Sequence, residues 1–136
     1  MSYATETDII ARYGQDQLLV LADRDGDGLA DAEVIAGGLA DADAEIDAYL
    51  AKRYDLPLAE VPPVLTRLAV DIAVYRMCDT DAMATEGRRK RYEDAVSLLR
   101  RIGTGEIALG QQPEPQTSSG SASVVSAPRT FRRGIR

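Results

Sequence analysis

The stretch DAEVIAGGLADADAEIDAYLAKRY, residues 31–54, decides the fold class. Its apolar side chains Ile35, Leu39, Ala42, Ile46, Tyr49 and Leu50 recur in steps of three and four, which places them on one face of an α-helix. Asp31 stands where an N-cap belongs, so the spacing predicts a long helix running to about Tyr54. Gly37 and Gly38 each weaken a helix by roughly 1 kcal/mol relative to Ala. Their presence predicts a close backbone approach or a kink at that turn.

On the C-terminal side, Leu56-Pro57-Leu58 breaks the helix. Pro62-Pro63 suits the first turn of the next one, where a missing N–H does no harm. Leu65, Leu68, Ile72 and Tyr75 mark the buried face of that helix, with Ala69 and Ala73 beside them. A link over residues 80–85 leads to a last helix over residues 86–102, packed through Tyr92, Val96, Leu99 and Ile102 and stopped by Gly103. Residues 105–109 read as an extended, strand-like end. On the N-terminal side, Thr5 and Asp8 form a capping pair for a first helix that Gly14 ends, and a short apolar piece, residues 17–22, follows. The fold class is therefore mostly α: a small bundle of about four helices with long loops over residues 1–110. Beyond it, QQPEPQTSSGSASVVSAPRTFRRGIR (residues 111–136) is rich in Pro, Ser and Gly and reads as an extended basic C-terminal arm.

Composition limits the chemistry. The 136 residues contain no His and no Trp, so the commonest general base and transition-metal ligand is missing. Catalysis is not expected, because no nucleophile–base pair emerges from the sequence. The single cysteine, Cys78, cannot form an internal disulfide and reads as a small buried hydrophobe. No apolar run is long enough for a membrane span, and the polar start MSYATETD does not read as a targeting peptide. The net charge of −6 is unevenly spread: residues 1–50 hold twelve acids and two bases, whereas residues 111–136 hold four arginines and Glu114 alone. An acidic body is poorly suited to gripping nucleic acid, since phosphate contacts need positive charge.

Four constellations stand out. Asp23, Asp25, Asp27 and Asp31 occupy positions 1, 3, 5 and 9 of an EF-hand calcium loop, with Gly28 at position 6. Position 12, normally a bidentate Glu, is Val34, and Glu33 comes one residue early. The alternative is an Asp/Gly turn whose carboxylates sit in solvent. Asp41, Asp43, Glu45 and Asp47 stack like charges at four-residue spacing, giving either a solvated face or an acidic wall that DNA passes without sticking. Arg88-Arg89-Lys90-Arg91 opens the last helix against its dipole, so salt bridges to the acidic half, within the chain or from a neighbour, are expected. Asp71 interrupts an apolar run and needs a partner, for which Arg67 four residues earlier or a tyrosine would serve.

The segments IDAYLAKRYDLPL (46–58), VPPVL (61–65) and LAVDIAVY (68–75), with the opening YATETDIIARYG (3–14), carry a resemblance over residues 1–110. They resemble the small neck proteins of Mu-like phages and prophages, which are similar to head–tail connector (adaptor, head-completion) proteins of long-tailed phages. The resemblance implies a non-enzymatic subunit of the virion neck, assembled in the host cytoplasm. Such a subunit joins a ring, typically of twelve copies, under the portal protein. The ring continues the DNA channel without binding DNA specifically, and docks the next neck or tail-completion protein. By that analogy the arm clamps the portal, with Phe131 as an apolar anchor and Arg129, Arg132, Arg133 and Arg136 pairing with acids. Arg88, Arg89 and Arg91 would meet Asp41 and Glu45 of a neighbouring subunit, with Asp43 and Asp47 facing the channel. No cofactor is expected beyond calcium at the 23–33 loop. The alternative function is a calcium-binding helical module that docks a partner protein.

Overall fold

A computed structural model describes residues 2–109 of the chain. Five helices occur in order: α1 (Glu6–Tyr13), α2 (Gln15–Ala22), α3 (Ala32–Leu50), α4 (Pro63–Met77) and α5 (Glu86–Gly103). The described residues are mostly α-helical and contain no strand. The extended arm expected over residues 111–136 lies outside the described residues.

Helices α3, α4 and α5 pack on one another, and α1 and α2 lie against this unit, mainly on α4. The core is the face drawn from the sequence: Ile35, Ala42, Ile46 and Leu50 of α3 meet Leu65, Leu68, Ile72 and Ala73 of α4 and Leu99 and Ile102 of α5. α4 is buried on nearly every side, from Leu68 through Val74, because helices flank it on both sides. This explains its weak amphipathic pattern: an all-round apolar helix is a central one.

Several local readings are refined. The apolar piece after Gly14 is a full helix, and Leu18, Leu21 and Ala22 carry it into the core. Gly14 serves both as the end of α1 and the start of α2, with φ at +92°, a left-handed value that a side chain would resist. Asp31 does stand at the N-cap of α3, yet its carboxylate accepts the Arg24 backbone N–H (3.0 Å) rather than a helix N–H. The loop competes for that side chain and wins, because closing the loop and capping the helix ask it to point in different directions. α3 ends at Leu50, short of Tyr54, and a turn follows before buried Tyr54 and Leu58. Residues 105–109 form no strand. They fold back so that the Leu109 N–H donates to the Tyr54 hydroxyl (3.3 Å) and the Leu109 side chain is buried. In α5 the fully buried positions are Ala95, Leu99 and Ile102, whereas Tyr92 and Val96 are half-buried at the margin.

Gly38 explains how closely α3 and α4 approach. A Cβ there would lie 2.6 Å from Met77 Cγ and 3.1 Å from the Ala73 carbonyl oxygen, while Gly37 faces open space. Gly103 does the same for α5, where a Cβ would collide with the Tyr49 carbonyl oxygen of α3.

Candidate functional site

Three internal polar clusters and two surfaces of opposite sign stand out among the described residues. The first cluster surrounds Asp71. Its carboxylate is buried in α4 and receives Arg12 Nε (3.0 Å), Arg12 Nη2 (3.3 Å) and the Tyr13 hydroxyl (2.8 Å), all from α1. Of the two kinds of partner the spacing offers, Arg67 or a tyrosine, a tyrosine is present. The cation, however, is Arg12 rather than Arg67, which is exposed on another side of α4. A buried carboxylate needs such partners, and they lock α1 onto α4.

The second cluster ties three helices together. Glu45 of α3 accepts from the Tyr92 hydroxyl of α5 (2.8 Å) and from Arg76 Nη2 of α4 (3.0 Å), and Arg76 also donates to the Tyr92 hydroxyl (3.0 Å). Tyr75 stacks on Tyr92 with ring centroids 4.4 Å apart. Burial and then the Glu45 hydrogen bond push the Tyr92 phenol up to about 12. The third cluster involves a segment the sequence did not mark. Tyr3 is buried, its backbone N–H donates to Asp43 (2.9 Å) and its hydroxyl to Asp47 (2.5 Å). Burial, reinforced by Asp47, raises the Tyr3 phenol well above its ordinary range. Asp43 and Asp47 therefore hold the N-terminal segment on α3.

The acidic surface is the loop of residues 23–31. The carboxylates of Asp23, Asp25 and Asp27 converge, each offering an oxygen within 4.8 Å of the others. Asp23 accepts the backbone N–H groups of Gly26 (2.9 Å), Asp27 (3.2 Å) and Gly28 (2.9 Å), and Asp27 accepts that of Leu29 (2.8 Å). Desolvation acts against the Asp23 anion, but the Gly28 N–H and the other donors outweigh it and hold its carboxyl low. Asp25 goes the other way. The Asp27 N–H favours its anion, yet desolvation and the adjoining Asp23 and Asp27 carboxylates together raise it. Asp31 is engaged with Arg24, Glu33 is exposed, and Val34 packs against the core, so among the described residues only Asp23, Asp25 and Asp27 converge here. Arg24 fastens the loop to the end of α4 through the Met77 carbonyl (3.1 Å).

The basic surface is a cleft of about 380 Å³ between α1, α2 and the start of α5, lined by Arg12, Tyr13, Gln17, Thr85, Gly87, Arg88 and Arg91. Within the basic run, Arg88 and Arg91, one turn apart, both line this cleft, and Arg89 and Lys90 are exposed. Arg88 donates to Gln17 Oε1 (2.7 Å) and to the Met83 carbonyl (2.6 Å), and Arg91 lies over the Tyr13 ring at 5.1 Å. Thr85 caps α5 at the cleft wall by accepting the Arg88 N–H (3.3 Å). Among the described residues, no carboxylate lines the cleft. Cys78, half-buried, donates its thiol to the Val74 and Met83 carbonyls (both 3.4 Å), and burial raises its pKa against the lowering effect of Arg88.

The structure thus brings Asp23, Asp25 and Asp27 together, and Arg88 with Arg91. It does not pair these arginines with Asp41 or Glu45 of the same chain. Glu45 has its own partners, and Asp41 is exposed. Arg129, Phe131, Arg132, Arg133 and Arg136 lie outside the described residues. Among the described residues, no helix is long and apolar enough to cross a membrane.

Comparison with known proteins gives this arrangement a setting. The chain is 34% identical to gene product J of Escherichia phage Mu over 137 aligned residues, covering 98% of this chain and 96% of that protein. It is 35% identical over 115 residues to the Mu-like prophage FluMu protein gp36 of Haemophilus influenzae, covering 85% of this chain and 80% of the relative. The family described as Bacteriophage Mu, Gp36 matches residues 3–127, so the likeness runs past residue 110 into the segment where the sequence resemblance had stopped. With nearly the whole chain matched and both relatives covered over most of their length, this is a phage-type protein that belongs to the Bacteriophage Mu Gp36 family.

Proposed function

We propose that the chain is a structural head–tail connector (adaptor) subunit of a tailed phage. It joins further copies of itself in a ring under the portal, continues the DNA channel, and docks the next neck or tail protein. Membership of the phage Mu Gp36 family over almost the full length is the observation that carries this reading. The geometry is consistent with assembly rather than catalysis. Asp71, Glu45 and Tyr3 spend their polar groups on holding the helices and the N-terminal segment together, and the surface carries both an acidic loop and a basic cleft. Ring closure by identical subunits needs two different, mutually complementary surfaces on each copy. The arm of residues 111–136 clamps the portal, with Phe131 inserted and Arg129, Arg132, Arg133 and Arg136 on acidic partners. Electron microscopy of particles assembled without this protein tests the reading. Filled heads lacking tails are expected, and normal tailed particles overturn it.

One observation favours a second reading, calcium binding at the acidic loop: three carboxylates already converge there. With Val34 in place of the bidentate ligand, affinity no tighter than about 10⁻⁴–10⁻³ M is expected. Calorimetry with Ca²⁺ decides it, and absence of heat at millimolar calcium removes it.

A further inference from the structure

We propose that the basic cleft between α1, α2 and α5 is a receptor for the acidic loop of a second copy of this chain, with Arg88 and Arg91 meeting the neighbour's Asp25 and Asp27. The inference rests on the ring reading above and specifies which surfaces join.

The cleft gathers three guanidiniums in one concavity, at the N-terminus of a long helix whose dipole adds positive potential. Among the described residues, the only carboxylate that meets any of them is Asp71, which is buried and bound by Arg12 and the Tyr13 hydroxyl. Arg88 and Arg91 are contacted by a neutral amide, a carbonyl and an aromatic face, none of which carries a full negative charge, and only the more distant Asp71 acts on Arg91. The site therefore asks for an anion. The forked arginines suit a carboxylate-bearing chain, which they can bind through paired N–H groups.

The acidic loop has the matching chemistry. Its carboxylates crowd together, so a cation from outside relieves repulsion that the loop itself retains. Leu29 next to them is 69% exposed, an unusual place for a leucine and a ready apolar contact at the same tip. The loop is held in shape by its own backbone N–H groups and by Arg24 on α4, so little ordering is needed on docking. Of the two α3 acids that could have served, Glu45 is already occupied by Arg76 and Tyr92 within its own chain, and exposed Asp41 lies in the field of the same Arg76. Nucleic acid phosphate is the less suitable occupant, because a chain of net charge −6 repels it at a distance. Cleft and loop are different surfaces of one subunit, so their pairing is head-to-tail and can close into a ring.

The test uses two full-length variants in a phage or prophage deleted for its own copy of the gene. One reverses the cleft (Arg88→Glu with Arg91→Glu), and the other reverses the loop (Asp25→Arg with Asp27→Arg). Each alone places like charges across every junction and is expected to lower the infectious titre by roughly a hundredfold or more. Supplied together, they can alternate around the ring, and titre is expected to recover to within about tenfold of the unaltered protein. Helical circular dichroism of each purified variant confirms folding. Arg91→Glu with Asp25→Arg, both at exposed positions, forms a milder pair if a double variant unfolds. Normal titre from either folded variant alone, or a folded pair that stays inactive when combined, overturns the contact while leaving the connector reading intact. Normal tailed particles from the gene deletion itself overturn the connector reading.

Discussion

Arg12 of α1 holds Asp71 of α4 across 59 residues of sequence, Nε to carboxylate at 3.0 Å, with the Asp71 side chain almost wholly buried. Asp71→Ala leaves the Arg12 guanidinium, which water reaches, and the Tyr13 hydroxyl without their acceptor, and is expected to cost about 1–2 kcal/mol. Arg67→Ala, at the exposed position that sequence spacing favoured, is expected to stay within about 0.5 kcal/mol. Urea denaturation of the two variants separates them, and equal losses would contradict the Arg12 assignment.

The two adjacent glycines of α3 should respond oppositely to alanine. At Gly37 the new methyl meets open space, so improved helix propensity is expected to stabilise by roughly 0.5–1 kcal/mol. At Gly38 it meets Met77 and the Ala73 carbonyl. Met77 can swing aside but the backbone cannot, and a net loss of about 1–2 kcal/mol is expected. Thermal melts of Gly37→Ala and Gly38→Ala read this directly, and a gain at both positions would mean that α3 and α4 are further apart.

Alkaline pH should weaken the fold through its tyrosines. Burial raises the phenols of Tyr3, Tyr13 and Tyr92 above their ordinary value of 10.0, Tyr92 to about 12. The folded state thus keeps protons that the unfolded chain releases. The Tyr92 contribution is complete below pH 10.0 and is lost as pH rises from there through about 12. Denaturation free energy measured from pH 8 upward should fall beyond pH 10, and Tyr92→Phe should reduce that slope. An unchanged slope in Tyr92→Phe would reject the coupling between Tyr92 and Glu45.

Removing residues 111–136 should separate folding from attachment. The cut falls beyond Leu109, whose side chain is buried and whose N–H reaches Tyr54, so the melting transition should be unaltered. Binding to portal-bearing heads should be lost. Full attachment by the shortened protein would refute the portal-clamping role of the arm.

Calcium, if it binds at the loop, should raise the melting temperature only at millimolar concentration. A tenfold excess over the dissociation constant stabilises by about 1.4 kcal/mol. Asp25→Asn with Asp27→Asn should abolish the effect, and a shift that survives this change would place the ion elsewhere.

Much of the fold was legible because period and breakers are local properties. The apolar steps from Ile35 to Leu50, the Pro62-Pro63 start and the Thr5–Asp8 capping box all appear in the structure, as the reading of a mostly helical bundle required. Residues 15–22 were harder. Eight residues give barely two turns, and tertiary burial of Leu18 and Leu21 rather than a strong pattern makes them helical. The candidate site was legible only in part. Asp23, Asp25 and Asp27 converge as loop spacing suggested, since the turn that joins them lies within five residues. The cleft was not legible, because Arg12, Gln17, Arg88 and Arg91 come from three helices, and no sequence pattern records which of their faces meet.

The sequence by itself determined the helices, the face of each that turns inward and the separation of acid from base along the chain, for these follow from spacing and composition. Tertiary structure alone decided that Arg12 rather than Arg67 reaches Asp71, that Tyr3 occupies Asp43 and Asp47, and that Glu45 is held by Arg76 and Tyr92. The physical reason is that a buried or half-buried carboxylate takes whichever donor the packing of other helices brings within about 3 Å, and that packing joins residues tens of positions apart.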